Sequence, residues 1–263
     1  MSESSTAWTP LAGNYDYLAD QQTGSASGDI VGVDTNYGLF VTFNDNGSAS
    51  HTDGTLGFRL RLDAAGGPNN NPAFDRAAWI GIDADMNGSV DAFLGINFSG
   101  SATDLGIYAP GTGANTSPST TSISSTAYAS YTISSANYNY RLVNSSTDGG
   151  TTNDVTTTTN GDPDYYVSFM VPFADVAGFL ATKSININDL TPLRYVSATA
   201  TQANSLNQDL GGVNGGVNST TTWVQLGGFT QVVTAGGIVV PEPGVPLLAL
   251  TALAAVMARR RRA

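Results

Sequence analysis

The stretch Asp83-Ala-Asp85-Met-Asn87-Gly88-Ser89-Val-Asp91 carries residue types at a spacing that can coordinate a hard cation. Side-chain oxygens stand at positions 1, 3 and 5, and a glycine at position 6 permits a sharp turn. Position 7 offers a backbone carbonyl and position 9 a further carboxylate, as in the first part of an EF-hand-type calcium loop. All the donors are oxygens, which favours calcium over zinc or copper. The pattern departs at position 12, where Leu94 replaces the bidentate glutamate, and the flanking segments read as strands instead of helices. The expectation is a structural calcium ion held by Asp83, Asp85, Asn87, Ser89 and Asp91, with an affinity of roughly 10⁻⁴ to 10⁻³ M. The alternative is a plain hairpin loop in which Asp, Asn and Gly only satisfy turn geometry. Its carboxylates would then repel one another with nothing to offset the repulsion.

Other chemistry is thinner. Asp162-Pro-Asp164 is a second acidic pair, read first as a turn before a strand and second as a metal site. His51 is the one histidine and lies in a polar turn, Ala-Ser-His-Thr-Asp-Gly. It would have to be the base of any Ser-His-Asp arrangement, yet no Gly-x-Ser-x-Gly elbow and no phosphate-cradling Gly-Lys-Ser/Thr loop occurs. A glycosidase pair would have to be two aspartates, because the body holds no Glu between Glu3 and Glu242. A non-enzymatic protein is expected. A secreted glycan hydrolase working through Asp pairs and a purely structural or adhesive surface subunit are the competing readings.

The elements that must position the loop read as strands. Leu56, Phe58, Leu60 and Leu62 alternate with Arg59 and Arg61, the pattern of a half-buried strand. Segments 38–43, 78–82, 92–98, 165–171 and 193–199 read likewise, with 78–82 and 92–98 paired through the acidic loop. Pro172 to Ala181 is the one helical stretch, with Phe173, Val176, Phe179 and Leu180 at helical spacing. Segments 111–135 and 147–160 are dominated by Thr, Ser and Asn and read as exposed loops. The fold expected for residues 1–238 is an all-β, antiparallel, jelly-roll-like β-sandwich with one short helix near 173–181.

Composition narrows the partners. The 263 residues include 10 basic and 21 acidic ones and no cysteine. Once Arg259 to Arg262 and Glu242 are set aside, six bases face twenty acids, so phosphate neutralisation on nucleic acid is excluded. Disulfides and thiol chemistry are unavailable. Nineteen of the acids are Asp, a bias that suits turns and calcium over helices.

Residues 239–263 are of another kind. Pro241-Glu242-Pro243 refuses helix and presents an extended carboxylate. An apolar run over about 245–258 is shorter than the roughly 20 residues that span a bilayer, and Arg259, Arg260, Arg261 and Arg262 follow it on the side expected to stay cytoplasmic. This tripartite tail resembles the PEP-CTERM sorting domain of Gram-negative envelope proteins. The resemblance implies a hydrophobic sorting helix that anchors transiently in the inner membrane, cleavage by an exosortase, and release or attachment at the cell surface. It also implies association with exopolysaccharide or the biofilm matrix. The opening residues, Met1-Ser-Glu-Ser-Ser-Thr-Ala-Trp8, have no basic region followed by an apolar core, so the export signal is expected upstream.

The body has a likeness of its own. Leu56 to Leu62, then Trp79-Ile-Gly-Ile-Asp83, then Tyr165 to Val171 running into Pro172-Phe-Ala-Asp175, is similar to the β-sandwiches of family 9 carbohydrate-binding modules and DOMON-like domains. That resemblance implies the fold more than a ligand, and no binding residue is carried over from it. Tyr108, Tyr138, Tyr140 and Trp223 are the aromatics that could stack on sugar rings if exposed.

Overall fold

The computed structural model describes residues 6–11, 16–17, 19–22, 25–67, 71–112, 115–155, 162–215 and 218–241. Two antiparallel sheets face each other. The first is ordered β1 (Thr9–Pro10), β2 (Leu39–Asn44), β3 (Thr55–Leu62), β9 (Tyr165–Pro172) and β8 (Tyr138–Leu142). The second is ordered β11 (Asp209–Leu210), β10 (Arg194–Ala200), β4 (Ala77–Asp83), β5 (Ala92–Asn97), β6 (Asp104–Pro110) and β7 (Ile123–Tyr131). The all-β sandwich expected from the sequence is therefore the fold. Helices α1 (Ser145–Asp148), α2 (Phe173–Ala181) and α3 (Trp223–Leu226) are short. Among the described residues no helix is long and apolar enough to cross a membrane, and the apolar run 245–258 lies outside them.

The strand at 111–135 is a correction. β7 occupies the second half of that Thr/Ser-rich stretch, and its burial alternates on residues as small as Ala127 and Ala129. A register shift where Tyr108 of β6 meets Ala127 sends Ala127 to one face and Ala129 to the other, which further weakens any period-two signal. Helix α2 begins where expected. Pro172, extended at φ −60° and ψ 128°, ends β9 and occupies the N-cap position of the helix without a side-chain hydrogen bond, and Phe173, Val176, Phe179 and Leu180 are the helix's buried residues.

Leu56, Phe58, Leu60 and Leu62 enter the core between the sheets, each worth about 1.5–3 kcal/mol on full burial. The outer faces are covered as well. A second cluster, with Trp79, Phe93, Tyr108, Leu210 and Trp223, lies on the other side of the second sheet, so β4 and β5 are buried along their whole length. Trp79 lies flat across Gly95, its partner in register on β5. A Cβ at Gly95 would fall 2.0 Å from the indole, so glycine is required by close approach.

The half-buried reading of β3 is corrected too. Arg59 and Arg61 point away from the main core but are only 3% and 0% exposed, because the N-terminal segment and the loop after α1 cover that face. Arg59 stacks at 4.2 Å under Trp8 and at 4.8 Å on Tyr166. Arg61 donates from Nε to Asp164 at 2.5 Å, from Nη1 to Asn36 Oδ1 at 3.3 Å and from Nη2 to the Thr152 carbonyl at 2.9 Å. Burial raises the Asp164 carboxyl while the Arg61 guanidinium opposes the rise. Replacing Arg61 with Met strands a buried carboxylate and is expected to cost about 3–5 kcal/mol in urea unfolding. The double variant Arg61→Met with Asp164→Leu should recover much of that loss, and equal destabilisation of both would show that the pair does not act as a unit.

Candidate functional site

The acidic loop is the β4–β5 connection. Ile82 and Ala92 form the last register pair, and the Asp91 N–H donates to the Ile82 carbonyl at 2.7 Å. Two left-handed residues make the reversal, Met86 at φ +63° and Gly88 at φ +89°. The glycine adopts that conformation freely and the methionine does not. Asp83, at the end of β4, accepts from the N–H groups of Asn87 (3.1 Å) and Gly88 (3.0 Å). Asp85 accepts from the Asn87 N–H at 3.1 Å and from the Asn87 side-chain amide at 2.8 Å. Asp91 reaches back to take the Ala84 N–H at 2.8 Å.

The result is convergence of the carboxylates. Asp83, Asp85 and Asp91 each present an oxygen within 4.8 Å of the other two, with Asp83 and Asp91 buried and Asp85 exposed. The other two expected ligands are placed differently. Asn87 Oδ1 accepts from the Ser89 N–H at 2.8 Å, so the side chain of Asn87 and the backbone of Ser89 are joined in a local turn. Burial raises the Asp91 carboxyl above its ordinary value against the Ala84 hydrogen bond, and the charges of Asp85 and Asp83 add to the rise.

One neighbour was not foreseen. Arg194 stands directly opposite Asp83 in the β10–β4 register, and its guanidinium donates from Nη2 to Asp83 Oδ2 while lying 4.6 Å over the ring of Phe229. The repulsion among the loop carboxylates therefore has an internal offset. No local spacing could have shown it, because Arg194 is 111 residues away.

The remaining sequence-derived residues are dispersed. Asp164 is the counter-ion of Arg61 and Asp162 is exposed, so the two do not share a site. Asp63, Asp154 and Asp164 converge within 4.8 Å, but Arg61 already supplies a cation at Asp164. His51 is exposed and pairs through Nδ1 with Asp189 at 2.8 Å, while the Asp189 N–H donates to the His51 carbonyl, which ties two loops together. Tyr108 packs edge-on against Trp79, and Trp223 is fully buried with Nε1 donating to Thr121 at 3.2 Å. Tyr138 and Tyr140 are half-buried against Phe98 and Phe74. None of the four is a free stacking platform. Pro241 is exposed, and Glu242, Pro243 and Arg259 to Arg262 lie outside the described residues.

A group that sequence reasoning missed is Asp16, Asp20 and Asp209, whose oxygens also converge within 4.8 Å. Compared with family models, curated proteins and solved structures, the chain gives no match.

The Arg194–Asp83 pair generates a stability prediction. Arg194→Gln leaves a fully buried carboxylate without its cation and is expected to cost about 3 kcal/mol in chemical unfolding. Asp83→Asn, which keeps an acceptor for the Gly88 and Asn87 N–H groups, should cost less. A neutral Arg194→Gln would mean that the loop hydrogen bonds alone hold the hairpin.

Proposed function

We propose that the chain is an exported cell-surface or extracellular-matrix protein, sorted through its C-terminal segment and cut there by an exosortase, with the β-sandwich left outside the cell. The observation that carries this reading is the order of three unlike parts in the sequence: Pro241-Glu242-Pro243, the apolar run 245–258 and Arg259 to Arg262. A rigid extended motif, a short hydrophobic stretch and a basic stop together make an address for a membrane enzyme, and a packed domain has no use for that combination.

The described structure is compatible with such processing. The Val240 N–H donates to the Val232 carbonyl at 2.9 Å, and Ile238 and Val239 are 69% and 51% exposed. Pro241, the first residue of the Pro-Glu-Pro motif, is exposed directly after them. Core burial and buried ion pairs hold the body without disulfides, as an exported chain lacking cysteine requires.

In this reading the β4–β5 loop takes calcium in the millimolar range typical outside cells, with Asp85 on the open side and Asp91 beside it. Matrix exopolysaccharide is the partner class. Contact with it would fall to surface groups such as Tyr128, which is 50% exposed over Phe179.

Processing is directly testable. The full chain is expressed behind a secretory leader, with an internal epitope tag, in a host that carries an exosortase. The unaltered chain should lose its tail and be recovered outside the cell, and Glu242→Ala should stay full-length in the inner membrane. Equal release of both would overturn the proposal.

A further inference from the structure

The N-terminal segment meets the β11 edge of the second sheet at a buried knot of carboxylates. Asp16, Asp29 and Asp209 are 0% exposed, and Asp20 lies half-buried beside them. Backbone N–H groups fix one oxygen of each N-terminal member. Asp16 Oδ1 accepts from Tyr17 and Gly212, both at 3.0 Å, Asp20 Oδ2 from Gly215 at 2.5 Å, and Asp29 Oδ2 from Ala19 at 3.0 Å. Asp209 takes the Ile30 and Leu210 N–H groups at 2.6 and 2.8 Å.

Among the described residues, Asp16 Oδ2, Asp20 Oδ1 and Asp29 Oδ1 are buried without a hydrogen-bond partner, and so is Oε1 of Gln21, the residue after Asp20. The leading charges acting on Asp16 are those of Asp209, Asp20 and Asp29, all of one sign. This contrasts with the β4–β5 loop, where Arg194 already sits on Asp83.

Buried acceptors without a donor, on residues whose carboxylates converge, call for a cation. Calcium binds oxygen at roughly 2.3–2.6 Å, so two ligands on opposite sides of one ion stand about 4.8 Å apart, and the three carboxylates lie within that span. Donors gathered irregularly from distant segments suit calcium better than magnesium, which demands octahedral geometry and keeps its water, and no nitrogen or sulfur donor enters the group. We infer that Asp16, Asp20 and Asp209, with Asp29 beside them, form a buried structural calcium site that fastens the N-terminal segment to the edge of the sandwich.

The ion would bridge both sheets. Asp209 belongs to the second sheet, while the Asp29 carbonyl accepts from Asp63 at the end of β3 and Ile30 pairs with Leu62. The Gln22 N–H donates to the Gln208 carbonyl at 2.8 Å along the same seam. Closing a loop that spans most of the body makes such a clip effective.

The test uses the full chain with Asp85→Ala, which silences the β4–β5 loop, freed of metal with chelator and melted with and without CaCl2. At a hundred-fold excess over Kd, the Asp85→Ala protein should still gain about 5–10 °C. Adding Asp209→Asn should abolish that gain. In chelator the Asp209→Asn protein loses a repelling charge but also one of the two backbone hydrogen bonds its carboxylate accepts from Ile30 and Leu210, so the readout is the calcium-dependent gain and not the absolute melting temperature. If Asp209→Asn fails to fold, Asp20→Asn at the rim of the cluster replaces it with the same expectation. No calcium response in Asp85→Ala, or an undiminished response after the second substitution, would overturn the site. Neither outcome bears on tail processing.

Discussion

The burial of carboxylates is the constraint around which this chain is organised. Asp16, Asp29, Asp63, Asp83, Asp91, Asp164 and Asp209 are all buried, in a protein with only six basic residues outside its tail. A buried carboxylate is tolerated only when something replaces its water. Arg61 and Arg194 do so for Asp164 and Asp83 from neighbouring strands. Backbone N–H groups do so for Asp91 and Asp209. The N-terminal knot has more carboxylate oxygens than backbone donors, and that excess is the ground on which a calcium site is proposed there.

The same constraint explains how a sandwich of modest size buries both faces of its sheets. Arg61 reaches Thr152 and Asn36 as well as Asp164, so one guanidinium holds the loop after α1 and the segment before β2 against the outer face of β3. Tyr166, Phe40 and Val143 then pack beside it, with Trp8 and Tyr37 partly buried against them. On the other sheet Trp223 and Leu210 cover Trp79 from the long connection after β10. Polar, glycine-rich segments thus serve as covers, held by hydrogen bonds and a few large side chains.

Function rests on different ground from fold. A β-sandwich hosts many activities and decides none of them. The proposal of an exported, processed surface protein comes from the tail, and the sandwich contributes only the surface position of Ile238 and Val239 just before it. The aromatics best placed in sequence to meet a sugar are committed to packing, so the structure assigns no sugar subsite to them.

Much of this was legible in the sequence. Alternation in 56–62 and 165–171, helical spacing in 173–181 and the Asp-rich link between 82 and 92 depend on neighbours in the chain, and local geometry decides them. The convergence of Asp83, Asp85 and Asp91 followed from turn chemistry for the same reason. β7 escaped because its partly buried positions include small residues such as Ala127 and Ala129 while Tyr128 between them is exposed, so the hydrophobic contrast does not follow the burial. Only the tertiary structure decided that Arg59 and Arg61 are interior, that Arg194 faces Asp83, that Trp223 is core, and that Asp16 and Asp20 meet Asp209. Each of those depends on which distant segments lie together and what they shield from water, and spacing along the chain carries no record of either.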